Sequence, residues 1–494
     1  MQPALAGLPI ALVLVAMLAG RLPAALAGLV GLAAALAVTP LGFDLTRGGA
    51  VGAGMALAGP LAEALSSTVT ILWIILPALA LYEMQLRAGA LDRIRGALAA
   101  LTPDRSLQVL LIAWFFGLFM EGAAGFGTPV ALAAPLLVGL GLPPVRAVAV
   151  ALLGHAPGVS FGAVGTPVIA QVELTGLDGA RIAMATAALH VFLAAGLVLA
   201  VLRLAKAAPL GRREVGWGLA AAVCFVVPAM GLAVLAGPEL PTLGGALLGG
   251  AAFVLLILRS RGRPASGPMP RLVSDLAPYA IIVALVLATR LIGPLQEQLA
   301  ALRWGWTLAG GYAGGIQPLY HPGTILMLGL IGSAAATGRL ALLGPSLAAA
   351  LRRLAPVALA LLVMLALARV MVHAGMIATL AQTATAAGGL WPLLAPAIGV
   401  LGTFVTGSAT ASNILFTPFQ AGTAAALGLP AVAMAAAQGF GAAIGNAVAP
   451  HNIIAGSATV GLSGREGEVL RLTGLPVALY ALGGGLLLLL WTLA

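Results

Sequence analysis

The sequence predicts an all-α polytopic membrane protein of about 12 transmembrane spans plus two re-entrant hairpins. Three observations carry this. First, the 494 residues are 61% hydrophobic and 8% charged, with a mean hydropathy of +1.10, far outside the range of soluble domains. Second, apolar runs long enough to cross about 30 Å of hydrocarbon recur along the chain. Third, two apolar segments, 106–172 and 389–460, are broken repeatedly by glycine and proline and resemble each other, which marks an internal repeat.

Taken in order, uninterrupted spans are expected at 4–20, 23–42, 68–86, 182–204, 215–236, 241–258, 276–293, 322–338, 354–374 and 475–493. The opening run MQPALAGLPIALVLVAML lacks the basic n-region of a signal peptide and reads as a retained span. In the first broken region EGAAGFGTPV leads to Gly-Leu-Pro at 141–143 and a break before Pro167; in the second TGSATASN leads to Gly-Leu-Pro at 428–430 and a break before Pro450. Each region therefore reads as a hairpin followed by one broken span, 106–141 with 144–172 and 389–427 with 430–460. All 494 residues form a single integral membrane domain.

Counting spans alternately puts 19 of the 24 basic residues on one side: Arg21, Arg87, Arg93, Arg95, Arg105, Arg146, Arg203, Lys206, Arg212, Arg213, Arg259, Arg261, Arg263, Arg271, Arg339, Arg352, Arg353, Arg465 and Arg471. The positive-inside rule makes that side cytoplasmic. The two hairpins then open to opposite faces, so the repeats are inverted, and both termini lie outside. Reading each hairpin as two full spans leaves this count unchanged; the short, glycine-broken arms favour re-entrance.

Glu121 is the one ionisable residue between Arg105 and Arg146. Carrying a carboxyl into hydrocarbon costs about 2.5 to 3.5 kcal/mol by insertion scales, and the glycine-rich stretch after it, Gly122 to Thr128, must line a cavity or be buried in protein. Together these place a small-solute site at membrane depth, with Glu121 as proton-coupling group or as a cap on its own tip. Thr128-Pro129 and Thr166-Pro167 read as hydroxyl caps with proline at the first helical position, each a preformed anion site. Ser412 and Asn413 offer the same at the second tip, although Pro418 comes later. Gly125, Gly127 and Ala409 would let backbone approach the solute.

His155 and His451 fall at matching helix breaks, as site residues or as satisfied core histidines. Asn446, Asn452 and Ser160 either bind solute or repair broken backbone bonds. Arg290 and Arg369 are expected to snorkel from span ends. His190, His321 and His373 have no polar cluster around them in sequence. Cys224 is the only cysteine, which excludes an intrachain disulfide or a cysteine metal cluster.

The string EGAAGFGTPVALAAPLLVGLGLPP, with SFGAVGTPV, GPELP at 237–241, TGSATASN at 406–413 and the Pro450-His451-Asn452 segment, resembles the lactate permease family through nearly the whole chain. The resemblance implies import of L-lactate, glycolate and related 2-hydroxy monocarboxylates with protons. It also implies an ion transporter superfamily architecture, in which scaffold and transport domains move as an elevator. Several positions depart from the family pattern, among them Ala411 and His451, and two of them change charge. Ala409 stands where an aspartate is usual and Asn446 where a lysine is usual, so a buried pair is exchanged for neutral groups.

The expected partners are a small carboxylate anion, a proton and the lipid bilayer of a bacterial inner membrane, with no cofactor or metal and no nucleic acid. A sodium-coupled carrier is the nearer alternative, and a membrane-embedded hydrolase using Ser160 or Ser412 with His155 or His451 the more distant one. A homodimer is one arrangement left open.

Overall fold

The computed structural model describes residues 2–493 apart from 20, 21, 47, 126, 207, 262–268 and 463, and leaves aside the side chains of 261 and 269–271. Arg21 and Arg263, and the side chains of Arg261 and Arg271, which enter the sidedness count, lie outside the described residues. Twelve helical segments among those described are long and apolar enough to span a membrane. The chain is a multi-pass membrane protein. The membership of that set differs from the sequence reading: Gln2–Leu18 and Pro322–Ala336 are shorter, while Arg105–Ala123 and Met376–Thr406 qualify.

Each repeat opens on a helix far longer than a span, Ala53–Arg87 with 35 residues and Leu340–His373 with 34. At 1.5 Å per residue each is about 50 Å long. Hydropathy alone starts them at 68 and 354, because charged and small polar residues thin the apolar run at Glu63, Ser66, Ser67, Arg352 and Arg353. The prolines inside, Pro60 and Pro77 in one and Pro345 and Pro356 in the other, are absorbed without ending either helix. Glu63 near the start of the first meets Arg369 and His373 near the end of the second, and Glu83 near the end of the first meets Arg353. The two long helices therefore run antiparallel.

Both long helices lead into the same series of elements. A glycine with positive φ, Gly89 at 64° or Gly375 at 81°, turns the chain into a short helix, Ala90–Ala100 or Met376–Ala384. A hairpin comes next, then a broken span and a last long helix, Gly179–Lys206 or Glu466–Leu493. Equivalent elements led by antiparallel helices make the repeats inverted. The first hairpin is Arg105–Ala123 and Thr128–Gly139; its 12-residue second arm reaches about 18 Å, too short to cross about 30 Å of hydrocarbon. The second hairpin is Trp391–Thr406 and Ala409–Leu427.

One element departs from the all-α expectation. Trp304–Leu308 and Tyr312–Ile316 form an antiparallel β-hairpin whose turn contains Gly310 and Gly311, both at positive φ. The Ala313 amide donates to Glu63 Oε1 at 3.3 Å, tying this hairpin to the first long helix.

Candidate functional site

Three consecutive left-handed residues interrupt the first broken span: Ala163 (φ 43°, ψ 55°), Val164 (55°, 47°) and Gly165 (82°, 8°). Left-handed backbone costs about 1 to 2 kcal/mol for a residue with a side chain, so the surroundings must hold this turn in place. They do so on both sides: a Cβ at Gly165 would sit 2.4 Å from the Pro238 carbonyl, and one at Gly162 would sit 2.1 Å from Glu121 Oε1. The helix resumes at Thr166. In the second broken span Ala431–Gly445 passes through a short 3-10 turn, Asn446–Val448, before Pro450–Thr459 begins.

The two breaks and the two hairpin tips meet at a cavity of about 50 Å³, lined by Glu121, Gly127, Thr166, Ser408, Ala409, Thr410, Asn446 and Asn452 among others. A water needs about 10 to 15 Å³ of such space, so the cavity holds roughly four waters or a solute of a few heavy atoms. Four helix starts contribute to its wall: Gly127 before Thr128–Gly139, Thr166 and Pro167, Ser408 before Ala409–Leu427, and Asn452 in the first turn of Pro450–Thr459. Helix starts present unpaired amides and the positive end of the dipole. The wall therefore suits an anion.

Glu121 is 4% exposed and is the one carboxylate among the described residues of that wall. Its nearest ionisable neighbour is His155, with Nε2 3.9 Å from Glu121 Oε2. The other ring nitrogen, Nδ1, lies 2.7 Å from the Ala151 carbonyl, and Asn446 of the second break is a further hydrogen-bond partner of the imidazole.

Several expected site residues play different parts from those expected. The hydroxyls of Thr128 and Thr166 do not cap helix amides; they donate to the carbonyls of Gly125 at 2.7 Å and Ala163 at 2.6 Å, fastening the left-handed turn that precedes each helix. Ser412 and Asn413 lie one turn inside their helix and are fully buried. Ser412 donates to the Gly399 carbonyl at 3.0 Å and accepts from Gln438 Nε2 at 3.1 Å. Asn413 Nδ2 donates to the Pro167 carbonyl at 3.0 Å. The tip-facing positions are instead Ser408, whose hydroxyl accepts from the Ala411 amide at 3.3 Å, and Thr410. The serine before Ala409 is the stronger cap signal in TGSATASN; Pro418 lies inside the same helix and marks no helix start.

Ser160 is off the cavity, bonded to His190 Nε2 at 2.9 Å, while His190 Nδ1 meets the Tyr480 hydroxyl at 2.9 Å. His451 is exposed on the first turn of its helix, with its Cβ against Gly407. Asn452 Nδ2 donates to the Gly407 carbonyl at 3.2 Å and the Asn446 carbonyl at 3.3 Å, pinning the second tip to its own break.

The two arginines expected to snorkel are paired. Arg290 Nη2 donates to Glu239 Oε1 at 2.7 Å, and its guanidinium lies 4.0 Å over the Tyr320 ring. Both charges line a larger vestibule of about 1070 Å³, which also reaches Ile169, Val172 and Glu173 on the helix leading away from the break. Arg369 Nη2 donates to the Glu173 carbonyl at 2.5 Å, with Nη1 3.6 Å from Glu63 Oε2, which His373 Nε2 meets at 2.8 Å. Histidine and arginine thus join both long helices to the broken span.

The model of the L-lactate permease family matches residues 3–262 and 315–493. The chain belongs to the L-lactate permease family. The segment between the matched parts, 263–314, contains most of the β-hairpin. Among similar proteins, an L-lactate permease of Streptococcus iniae is 31% identical, over 85% of this chain and 90% of its own length. A glycolate permease of Escherichia coli is 30% identical, over 82% and 81%. Among solved structures, MtrF of Neisseria gonorrhoeae, described with a class of antimetabolite efflux pumps, shares the fold at a TM-score of 0.50, 16% identity and coverage of 89% of this chain and 84% of that one. Ala409 and Asn446, where the resemblance implies charged residues, both stand on the cavity wall.

Proposed function

We propose that this chain is a secondary active transporter that brings a small 2-hydroxy monocarboxylate, L-lactate or glycolate, across a bacterial inner membrane together with a proton. One observation carries the coupling: a buried carboxylate, Glu121, faces a cavity built from helix starts, with no arginine or lysine among the described residues of its wall. A carboxylate taken out of water is normally paired or neutralised, and a substrate anion beside it sharpens that need. A proton on Glu121 meets it. The names of the relatives support the substrate class.

In the proposed cycle the substrate carboxylate docks on the helix starts at Gly127, Thr166, Ser408 and Thr410. Gly125 and Thr128 shape the first tip, and Asn446 and Asn452 hold the second break. Ser160, Ser412, Asn413 and His451 support these elements from behind. The long antiparallel helices act as scaffold and the hairpins with their broken spans as the moving part, an elevator with both termini on the outer side. Binding of anion and proton reinforce each other, as linkage requires.

Uptake of labelled L-lactate into proteoliposomes, with pH and sodium gradients imposed separately, tests this. An inside-alkaline gradient alone should drive accumulation. Accumulation that follows sodium and ignores the pH gradient would replace the proton by sodium.

A further inference from the structure

We propose that Glu121 and His155 hold a single proton between them, with Glu121 Oε2 and His155 Nε2 as its two ends, so that the coupling unit is a dyad rather than a lone carboxyl. The inference rests on the reading of Glu121 as coupling group and adds the second half of the site.

The tautomer is fixed by one contact. A backbone carbonyl only accepts hydrogen bonds, so the 2.7 Å approach of His155 Nδ1 to the Ala151 oxygen requires the proton on Nδ1. In the neutral ring Nε2 then carries the free lone pair, an acceptor that Asn446 also reaches. That acceptor is the atom turned toward Glu121, 3.9 Å from Oε2. Closing the gap to hydrogen-bond range takes about 1 Å. Both side chains are buried, His155 at 1% and Glu121 at 4% exposure, and Glu121 makes no hydrogen bond among the described residues. The carboxyl oxygen thus has one basic atom ahead of it and the cavity beside it.

The surroundings leave the charge of the dyad to the dyad itself. From the first broken span the wall offers Gly162 and Thr166, from the second Asn446 and Asn452, and from the second tip Ser408 and Thr410, all neutral. The helix Pro241–Arg261 meets the glycine after Glu121 through Leu243. Two further histidines of the broken spans and their neighbours are engaged or outside: His190 between Ser160 and Tyr480, and His451 on an exposed turn.

A proton arriving from water forms an O–H bond at Glu121 Oε2, taking the dyad from −1 to neutral. The acid can then donate to Nε2; full transfer breaks the O–H bond, forms an N–H bond and leaves carboxylate beside imidazolium, still neutral as a pair. Return to water restores −1. Asn446 touches the same imidazole from the other repeat, so relative movement of the two breaks changes what Nε2 faces.

Two measurements decide it. In the unmutated transporter, infrared difference spectra across an acid titration, with labelled histidine, follow both groups; bands lost in Glu121→Gln and His155→Gln assign them. Interacting sites titrate as a pair, so the carboxyl and imidazole bands should share their steps, and Glu121→Gln should displace the imidazole band. Separate midpoints with an imidazole indifferent to Glu121→Gln overturn the dyad. In proteoliposomes, His155→Gln should lower the ratio of pH-driven accumulation to counterflow exchange at least tenfold. An unchanged ratio overturns the dyad and leaves Glu121 as sole carrier, whereas an unchanged ratio in Glu121→Gln removes proton coupling through Glu121 altogether.

Discussion

Asn413 Nδ2 donates to the Pro167 carbonyl at 3.0 Å, linking the second hairpin to the broken span of the first repeat. The contact crosses 246 residues of sequence and lies directly behind the cavity wall. Asn413→Ala removes a buried donor, and an unsatisfied partner costs about 1 to 3 kcal/mol. The variant should melt earlier in detergent while its substrate affinity, measured on protein that remains folded, changes less than that of Ser408→Ala. A larger affinity loss in Asn413→Ala would place its amide on the substrate.

Gly162 gives way to Glu121. A Cβ there would lie 2.1 Å from Glu121 Oε1, so Gly162→Ala must push the carboxyl away or move the break. Overpacking costs about 1 to 3 kcal/mol, and here it falls on the coupling group. Transport should drop more than tenfold with expression largely kept. Wild-type uptake by Gly162→Ala would show that the position of this carboxyl is not critical.

Arg290 and Glu239 have side chains 11% and 6% exposed. Removing one partner of a buried pair costs about 3 to 5 kcal/mol, and the water-accessible vestibule beside this pair reduces that figure. Arg290→Gln should therefore lower thermal stability measurably, and Arg290→Gln with Glu239→Gln together should recover part of the loss. Strict additivity in a double-mutant cycle would mean that the pair contributes nothing as a pair.

Ala409 and Asn446 share the cavity wall, at positions where the resemblance implies an acid and a lysine. Ala409→Asp or Asn446→Lys alone brings an uncompensated charge to membrane depth and should abolish uptake. The double variant should restore some of it, since each charge then has a partner. A double variant no better than the worse single one would show that the two positions do not compensate.

Much of this arrangement is legible in the sequence, for definite reasons. Glycine and proline interrupt helices locally, so the breaks before Pro167 and Pro450 and the tips after Glu121 and Thr406 can be read without contacts. A lone acid in a long apolar run singles out Glu121. The pairing of Glu239 with Arg290, or of Glu63 with Arg369 and His373, joins residues 51 and about 300 positions apart, and no local pattern announces it. For the same reason His190 reads as isolated although Ser160 and Tyr480 enclose it. Hydroxyl direction is also hidden: Thr128 and Thr166 precede proline as caps do, yet each donates backward to a carbonyl because the turn before it is left-handed.

The central claim is that a proton at Glu121 accompanies the carboxylate. Glu121→Gln imitates the protonated acid in shape and charge. Reconstituted in liposomes, the purified variant should keep measurable exchange of labelled for unlabelled L-lactate and fail to accumulate lactate under an imposed inside-alkaline gradient. Accumulation at the unmutated level under that gradient would contradict the claim and move the coupling group away from Glu121.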